Sequence, residues 1–556
     1  MSETQEPKNR FRNAYIVTAV AISCLMIGAS MGIIISGTTP GFPTVIEPGS
    51  MVAGSTHLLF SDNAVYYARN GTTGSLDYSG TSARTVIQAV LDNMNSDGGK
   101  ITFIGTFYVD GNISVTKSHI TFAGLGAGHE IVAQGGPSII KKMDGAFNLF
   151  DIRGGGSGYV QECTFQDLTF FAGPDDSIGP LLKSGPSDAL NFLKVQYVTI
   201  ENCRFSGFLG SAVNASWTYG INIRGIVVTY CGDETLNRAA IKCVGLDNGD
   251  HRTTGIFISN SLVAQSAYIG IETGNNDPSC VIVDNYLEGP DGYNLTSSIR
   301  TGQYAHVIRN FCYNPDGIGI DVNGNWNYVF ENTIMLAGGN GIDAEGGAKV
   351  EISNNFVDRA GADGIRAGNG SVISGNIIEA AQANAIYVNC ARVIVDSNVL
   401  RGSNLNGAWP NSAIRLYSVA ANCTITHNSI ADDAPIKTVL RGVHLDTGVS
   451  NITIGENIFQ GIATPIYKTA SNKNVIIFAN VGYITEMHGT TTITGAVNDV
   501  TVNHRLATTP TIVVVTVNNT GAGNHSVSSV TSTQFVISFT NQPGTSEWLF
   551  YWYAQA

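Results

Sequence analysis

The sequence predicts an elongated all-β protein, a parallel β-helix in which short strands stack in successive coils. Its 556 residues exceed the roughly 250–300 residues that one compact core supports. Gly accounts for 64 residues and charged residues for only 13%, a composition that favours short strands joined by tight turns. Asparagine also recurs every 22 to 30 residues within similar segments, and a period of this length is typical of solenoids.

The first 61 residues precede the repeat and contain one long apolar segment. Residues 14–36 carry no charge and are long enough to span a bilayer as a helix. Three Lys or Arg residues lie within residues 8–12, and the next Lys or Arg is Arg69. The positive-inside rule then places residues 1–13 in the cytoplasm and the body outside the cell. We expect a membrane anchor at 14–36, with a cleaved signal peptide and a secreted protein as the alternative, followed by a linker at 37–61.

The repeat occupies residues 62–483. Each repeated asparagine follows a short run of alternating β-branched residues, and a second strand follows, marked by a small residue and an isoleucine. Helical periodicity is absent, and a unit of this kind buries its apolar face only by stacking on its neighbours. We expect roughly eleven or more coils, with the asparagines forming a ladder in left-handed corners. The repeated asparagines are Asn260, Asn285, Asn310, Asn332, Asn354, Asn376, Asn398, Asn428, Asn457 and Asn480.

A short helix is predicted at the entrance of the repeat, within residues 80–128. Thr81 or Ser82 can cap its N-terminus, and the helix would cover the open end of the first coil, whose strand edges are otherwise unpaired. Its apolar stripe consists of Val86, Ile87, Val90, Leu91 and Met94.

The segments SARTVIQAVLD, DGGKITFIGTFYV and ITFAGLGAG resemble the opening of pectate-lyase-like proteins. That superfamily has a right-handed single-stranded parallel β-helix with an N-terminal capping helix, and the resemblance covers about residues 62–480. The aspartates that often precede the helix in the family are replaced here by Ser82 and Ala83. Because the family includes lyases, hydrolases, epimerases, viral tailspikes and non-catalytic surface proteins, the resemblance implies the fold and not one activity.

Residues 484–556 lose the coil repeat and alternate short strands with turn residues, which predicts a small β-sandwich. The segment 548–553 is rich in aromatic residues. Those rings could form a sugar-stacking patch or a trimer contact. Alternatively, Phe550 and Trp552 are core residues and the intervening residues lie outside.

A column of candidate site residues follows from aligning the coils. Because the isoleucine of each pair points inward, the residue after it points outward. This alignment gives Asn222, Lys242, Glu272, Arg300, Asp321, Asp343, Arg366, Tyr387, Arg415, His444 and Tyr467. Two residues further along the same strands are Asn323, Glu345, Asn389, Tyr417 and Asp446. In enzymes of the resembled family the binding groove lies on such a face.

We predict catalytic roles for Asp321, Asp343, Glu345 and Arg366. Adjacent carboxylates need compensation, either from arginines on flanking coils or from a bound cation. The three carboxylates could bind Ca²⁺ or act as an acid/base pair. In a lyase, an arginine or cation would neutralise a uronate, and Arg300, Arg366, Tyr387 or Lys242 would remove the proton. The predicted substrate-binding residues are Lys242, Glu272, Arg300, Asn323, Tyr387, Arg415, Tyr417 and His444.

The charges of this face also fit a surface salt-bridge ladder without a functional role, since their signs mostly alternate. A second candidate site is His444 with Arg415 and Asp446. The net charge of −13 and the lack of a basic run exclude a nucleic-acid partner. No CxxC, P-loop, GxSxG or HExxH motif occurs, and the scattered cysteines, Cys24 in the apolar segment among them, indicate single buried thiols.

The sequence therefore predicts an extracellular surface protein that binds polysaccharide or a cell-surface glycan and cleaves it as a lyase or glycoside hydrolase. The alternative is a non-catalytic structural or adhesive protein, similar to a tailspike and trimeric. The Gly-His-Gly and Arg-Ile-Lys motifs of polygalacturonase-like hydrolases are absent, which favours the alternative.

Overall fold

The computed structural model describes residues 54–62, 64–127, 137–172, 187–246, 251–274, 279–289, 295–403, 412–432, 439–493, 497–517, 524–540 and 548–556. The predicted anchor at 14–36, with Cys24, lies outside these residues. Among the residues described, no helix is both long and apolar enough to cross a membrane.

Each full coil of the solenoid contains three short strands, and each strand pairs in parallel with its equivalents in the neighbouring coils. The coils therefore build three parallel sheets. We call the turn from the first to the second sheet the first corner, and the turn from the second to the third sheet the second corner. At the entrance, Val65–Asn70 and Leu76–Gly80 extend the second sheet as antiparallel strands.

The strands of each sheet are short, most of them three to six residues. The first sheet contains Ile113–Val115, Phe150–Arg153, the first parts of Leu190–Glu201 and Val213–Arg224, Ile241–Cys243, Ile269–Thr273, Ser297–Thr301, Ile318–Val322, Ile342–Asp343, Ile365–Ala367, Ile386–Val388, Ser412–Leu416, Arg441–Leu445 and Thr464–Tyr467. The second contains His57–Asp62, the first part of Gly99–Val109, Ile120–Ala123, Val160–Gln166, the second parts of Leu190–Glu201 and Val213–Arg224, Thr254–Ser259, Cys280–Val283, Ala305–Ile308, Tyr328–Phe330, Glu351–Ser353, Val372–Ser374, Ile394–Asp396, Ala421–Thr426, Ser450–Gly455 and Lys473–Phe478. The third contains the second part of Gly99–Val109, Ser138–Lys142, Thr169–Ala172, Arg204–Ser206, Val227–Thr229, Leu262–Ala264, Tyr286–Glu288, Phe311–Tyr313, Thr333–Met335, Phe356–Asp358, Ile377–Glu379, Val399–Arg401, Ser429–Ala431 and Ile458–Gln460.

The inward side chains form one continuous apolar core from Leu59 to Tyr483. Isoleucines of the first sheet stack directly on one another, as in the pairs Ile320–Ile342 and Ile365–Ile386. Full burial of such a side chain contributes about 1.5–3 kcal/mol, so each added coil extends the core. The eight described cysteines are present as thiols, and seven of them are buried.

The predicted capping helix is confirmed as α1, Ala83–Asn93. Ser82 is its N-cap, and the Ser82 hydroxyl accepts a hydrogen bond from the Thr85 amide. The Gln88 side chain donates to the Ser114 carbonyl (3.1 Å) and accepts from the Ser114 amide (2.9 Å). Because Ser114 lies in the first strand of the first sheet, the helix satisfies an edge that would otherwise be unpaired.

The asparagine ladder is confirmed, with two corrections. Asn260 and Asn354 are not its members, because the ladder positions in those coils are Ser261 and Asn355. Two successive residues form each second corner. The first adopts positive φ, and the second is buried and makes the hydrogen bonds of the ladder with the neighbouring coils. The asparagines of the ladder itself do not adopt positive φ, so the predicted left-handed conformation belongs one residue earlier, for example at Asn354 (φ 55°).

The C-terminal segment forms two three-stranded antiparallel sheets that share a second apolar cluster. One sheet contains Glu486–Ile493, Trp548–Gln555 and Ile512–Val517, and the other contains Asp499–Asn503, Gln534–Phe539 and His525–Ser528. Phe550 and Trp552 are buried, whereas Tyr551 is 48% exposed. The prediction that Phe550 and Trp552 are core residues is therefore confirmed, and the rings of segment 548–553 do not form one continuous exposed patch.

Candidate functional site

The predicted outward column is confirmed from Lys242 to Tyr467, where each member pairs with the next across the first sheet. We call these residues the first-sheet column: Lys242, Glu272, Arg300, Asp321, Asp343, Arg366, Tyr387, Arg415, His444 and Tyr467. Asn222 was wrongly included. Strand Val213–Arg224 runs through both the first and second sheets, and the residue that pairs with Lys242 is Asn214.

The N-terminal part of the first-sheet column, from Lys242 to Asp321, is a series of ion pairs. Lys242 Nζ lies 3.4 Å from Glu272 Oε2, and Arg300 Nη1 lies 4.0 Å from Glu272 Oε1. Arg300 Nε contacts Asp321 Oδ2 at 2.8 Å, and Arg300 Nη1 donates to the Tyr268 hydroxyl at 3.3 Å. Burial lowers the pKa of Arg300, but the hydrogen bonds and charges of Asp321 and Tyr268 outweigh it and raise the pKa above its usual value.

The middle of the column is organised by Arg366, which contacts three carboxylates. Its Nη1 lies 2.9 Å from Glu345 Oε2 and 3.6 Å from Asp343 Oδ2, and its Nε lies 3.5 Å from Asp363 Oδ2. Asp343 also accepts hydrogen bonds from the Asn340 side chain (2.7 Å) and the Glu345 amide (3.0 Å). We call Arg366, Asp343, Glu345 and Asp363 the Arg366 cluster.

Asp363 is a member that sequence reasoning missed. Its Oδ1 accepts from the Asn384 amide (3.0 Å) and the Asn384 side chain (2.8 Å), and its amide donates to Asn340 Oδ1 (3.1 Å). Burial raises the pKa of Asp363 above its usual value, although the hydrogen bonds from Asn384 and the charge of Arg366 act against it. The signal was in the sequence: Asn340, Asp363, Asn384 and Ser412 each precede a small-residue and isoleucine pair.

Arginines supply the compensation that the adjacent carboxylates require. Asp321 is bound by Arg300, whereas Asp343 and Glu345 are bound by Arg366. The three carboxylates predicted to bind Ca²⁺ are thus divided between two guanidinium groups. Among the described residues, no group of three or more His, Cys, Asp or Glu residues could hold a metal ion.

In the coils that follow the Arg366 cluster, two tyrosines lie beside two arginines. The Arg366 guanidinium lies over the Tyr387 ring (5.0 Å to the centroid) and that of Arg415 over the Tyr417 ring (5.4 Å). The two rings are 6.0 Å apart, and Tyr417 is 41% exposed. Burial raises the pKa of Tyr387, outweighing the opposing charges of Arg366 and Arg415, so Tyr387 is held as the neutral phenol.

The second candidate site, around His444, is a compact contact network. His444 is 3% exposed, its Nε2 lies 3.2 Å from Asp446 Oδ1, and its ring meets Tyr467 edge to face at 4.9 Å. Arg415 Nη2 contacts Asp446 Oδ2 at 3.0 Å. The structure therefore brings these residues together, but His444 lies behind its neighbours rather than at the surface. Asn323 is half-buried, and it follows Asp321 by two positions as Glu345 follows Asp343, the residue that pairs with Asp321.

Comparison with known proteins agrees with this architecture. Residues 298–459 match the family model described as right handed beta helix region, which confirms the predicted right-handed parallel β-helix for that part of the chain. No curated protein matches the chain by sequence.

The chain is similar to several solved structures. The mannuronan C-5 epimerase A-module of Azotobacter vinelandii is 16% identical, with 71% of this chain and 96% of that chain covered and a TM-score of 0.38. The DFA-IIIase of Arthrobacter chlorophenolicus A6 is 15% identical, with 70% and 91% covered and a TM-score of 0.42. A mutant tailspike protein of E. coli bacteriophage HK620 is 14% identical, with 85% and 89% covered and a TM-score of 0.40.

Proposed function

We propose that this right-handed parallel β-helix protein binds an extended polysaccharide along the outward face of its first sheet. The observation that carries the proposal is the unbroken first-sheet column from Lys242 to Tyr467, one polar or aromatic side chain per coil. Successive members are about 4.8 Å apart. A polysaccharide presents hydroxyl groups and apolar ring faces at regular intervals, so a regular series of donors, acceptors and rings is suited to it.

The ion pairs of the column support binding by holding the side chains in place. From Lys242 to Arg415 the charged side chains of the column are only 11–29% exposed. Charged donors and acceptors make the stronger hydrogen bonds, and groups that are already ordered lose little entropy when a ligand binds. Tyr417, exposed and backed by Arg415, offers a ring for a sugar face.

A binding measurement with the full-length protein tests this proposal. We expect Tyr417→Ala to weaken binding to its best ligand in a polysaccharide panel about tenfold, the loss of one stacking contact and its hydrogen bond. Tyr551→Ala is the matched control, since Tyr551 is equally exposed but lies in the C-terminal sheets. If no polysaccharide binds, the solenoid is a spacer and the structural or adhesive alternative, with its trimer, is favoured. If Tyr417→Ala binds its best ligand like wild type, the ligand does not lie on the first-sheet face.

The Arg366 cluster supports a second candidate function, glycoside hydrolysis. Its carboxylates lie in different environments: burial raises the pKa of Asp363, whereas Glu345 is 38% exposed. Two carboxyl groups in contrasting environments can divide the roles of general acid and base or nucleophile. Asp363 would then protonate the leaving oxygen, with Asp343 or Glu345 as the ionised partner.

Cleavage is tested by following reducing ends and the absorbance of unsaturated uronates during incubation with the polysaccharide panel. A hydrolase releases reducing ends without the absorbance change. Asp363→Asn removes the proposed general acid and should abolish the release, as should whichever of Asp343→Asn and Glu345→Gln removes the ionised partner. Asp358→Asn is the control, because Asp358 lies in the third sheet beside Arg359. Retention of cleavage in all three cluster variants would remove the Arg366 cluster from catalysis. We further propose that the body lies outside the cell and that residues 14–36 anchor it in the membrane. Protease added to intact cells should then digest the body.

A further inference from the structure

The first corner contains a second column with unusual backbone geometry. In every coil that follows His119, one residue at this corner has φ between +54° and +70°. We call these residues the first-corner column: His119, Glu162, Tyr197, Gly220, Gly255, Ser279, Tyr304, Trp326, Lys349, Gly370, Arg392, Asn422, Asn451 and Asn474. The left-handed region suits glycine and asparagine and disfavours bulky side chains.

The column changes character along the solenoid. At its far end, Asn451 donates to Asn422 (3.1 Å) and Asn474 donates to Asn451 (2.8 Å), so these asparagines satisfy one another. In the middle, the same backbone position is occupied by Tyr304, Trp326, Lys349 and Arg392. Such residues strain the backbone when they adopt the left-handed conformation. The fold does not require them, because neighbouring coils make the same corner with glycine or asparagine.

These bulky residues form an exposed strip of rings and cations. Tyr304 is 47% and Trp326 44% exposed, and Lys349 and Arg392 are also exposed. Lys349 Nζ lies 4.0 Å from the centroid of the Trp326 ring, and Arg392 Nη2 lies 3.1 Å from the Asn369 side-chain amide, whose oxygen accepts from it in the orientation in which the amide nitrogen donates to Ala391. Within the described part of the chain neither cation forms an ion pair, in contrast to the arginines of the first-sheet column.

A cavity adjoins the aromatic end of this strip. It measures about 440 Å³, within the ~300–1,000 Å³ range of small-molecule sites. Tyr304 and His306 contribute rings to its lining, together with Ser279, Cys280 and Val281. His306 also contacts the Tyr328 ring of the next coil at 4.8 Å. Rings with polar edges beside a cation offer both a stacking surface and a charge partner.

We infer that the central part of the first-corner column, Tyr304 to Arg392, binds an acidic polysaccharide. Sugar rings would stack on Tyr304 and Trp326, and sugar carboxylates would pair with Lys349 and Arg392. Two exposed cations that form no ion pair among the described residues single out an anionic ligand, and the chain lacks the basic run that a nucleic acid requires. This site lies on a different side of the coil from the first-sheet column and does not rest on the proposed function.

Binding of the full-length protein to polygalacturonate, and to the same polymer with its carboxyl groups reduced, tests the inference. We expect Lys349→Asn and Arg392→Asn each to weaken binding to polygalacturonate about tenfold, since each removes a charge-assisted hydrogen bond. Binding to the reduced polymer should not change. Arg309→Asn is the matched control: Arg309 also has positive φ (51°), but it lies at the second corner and is paired with Asp284.

Three results would overturn the inference. The first is a wild-type protein that binds polygalacturonate no better than the reduced polymer. The second is an equal loss in Arg309→Asn, or equal binding of polyglutamate, because either would indicate unspecific attraction of polyanions. The third is a lower melting temperature in Lys349→Asn or Arg392→Asn than in wild type, because the strain argument requires asparagine to be accommodated at least as well. Tyr417→Ala, which tests the proposed function, should leave the effect of Lys349→Asn intact.

Discussion

The two corners of the solenoid solve the same geometric problem in opposite ways. The second corner uses an exposed left-handed residue followed by a buried asparagine, and the buried ladder continues from Asn285 to Asn480. The first corner changes chemistry from coil to coil, with glycine, asparagine, aromatic residues and cations at one backbone position. Regular, buried chemistry therefore marks the corner that holds the coils together, and irregular, exposed chemistry marks the corner at which we propose binding.

The largest effect should come from breaking the ladder. Asn376 donates to Ile352, Ser374 and Asn398, and its oxygen accepts from Asn355. Asn376→Ala leaves several buried groups without partners, at about 1–3 kcal/mol for each, so we expect unfolding to require about 3 kcal/mol less free energy. Denaturant unfolding measures this change.

The neighbouring Asn354→Gly is the control for that variant. Asn354 is the exposed left-handed residue of the same corner, and glycine adopts its conformation without strain. Its stability should equal or exceed that of wild type. Equal losses in the two variants would contradict the division of roles within the second corner.

The second-largest effect on stability is expected at the buried carboxylate Asp363, and this effect depends on pH. Burial raises the pKa of Asp363, so the folded state holds its proton more tightly than the unfolded state, and this contribution to stability is lost as the pH rises through the folded pKa. Asp363→Asn keeps the acceptor for Asn384 and carries no charge. We expect the stability of the variant relative to wild type to increase from pH 4 to pH 8. A constant difference would show that Asp363 titrates normally.

A smaller effect of opposite sign is expected at the first corner. Trp326→Asn removes a half-exposed ring and its contact with Lys349, but it also relieves about 1 kcal/mol of backbone strain. The free energy of unfolding should stay the same or rise by up to about 1 kcal/mol. A decrease of more than about 1 kcal/mol in denaturant unfolding would mean that Trp326 is structural.

The smallest effect concerns a glycine of the same column. Gly370 has φ +69°, and a Cβ there would meet only Lys349 Cγ at 3.7 Å. Gly370→Asn should change stability by less than about 0.5 kcal/mol, because asparagine tolerates this conformation. The matched variant Gly207→Asn should be clearly less stable, since Gly207 also has positive φ (+81°) but a Cβ there lies 2.7 Å from the Ala172 carbonyl oxygen. Equal melting temperatures of the two variants would contradict the tolerance expected at the first corner.

The sequence predicted the coil, the capping helix and most of the outward column, because period, alternation and capping chemistry are local properties. It misplaced Asn222 where one long strand serves two sheets, and it chose Asn354 over Asn355 where two asparagines are adjacent. Asp363 was missed because its role depends on contacts with neighbouring coils. The first-corner column was missed for a related reason: positive φ leaves no signature when a tryptophan or a lysine adopts it.

Oxidative footprinting of the full-length protein with and without saturating acidic polysaccharide tests the central claim most directly. The rings of Tyr417 and Trp326 are both exposed on the solenoid, and Tyr551 is exposed on the C-terminal sheets. We expect the polysaccharide to protect Tyr417 and Trp326 from oxidation and to leave Tyr551 unchanged. Protection of Tyr551 alone, or of none of the three, would contradict the assignment of carbohydrate binding to the first sheet and the first corner.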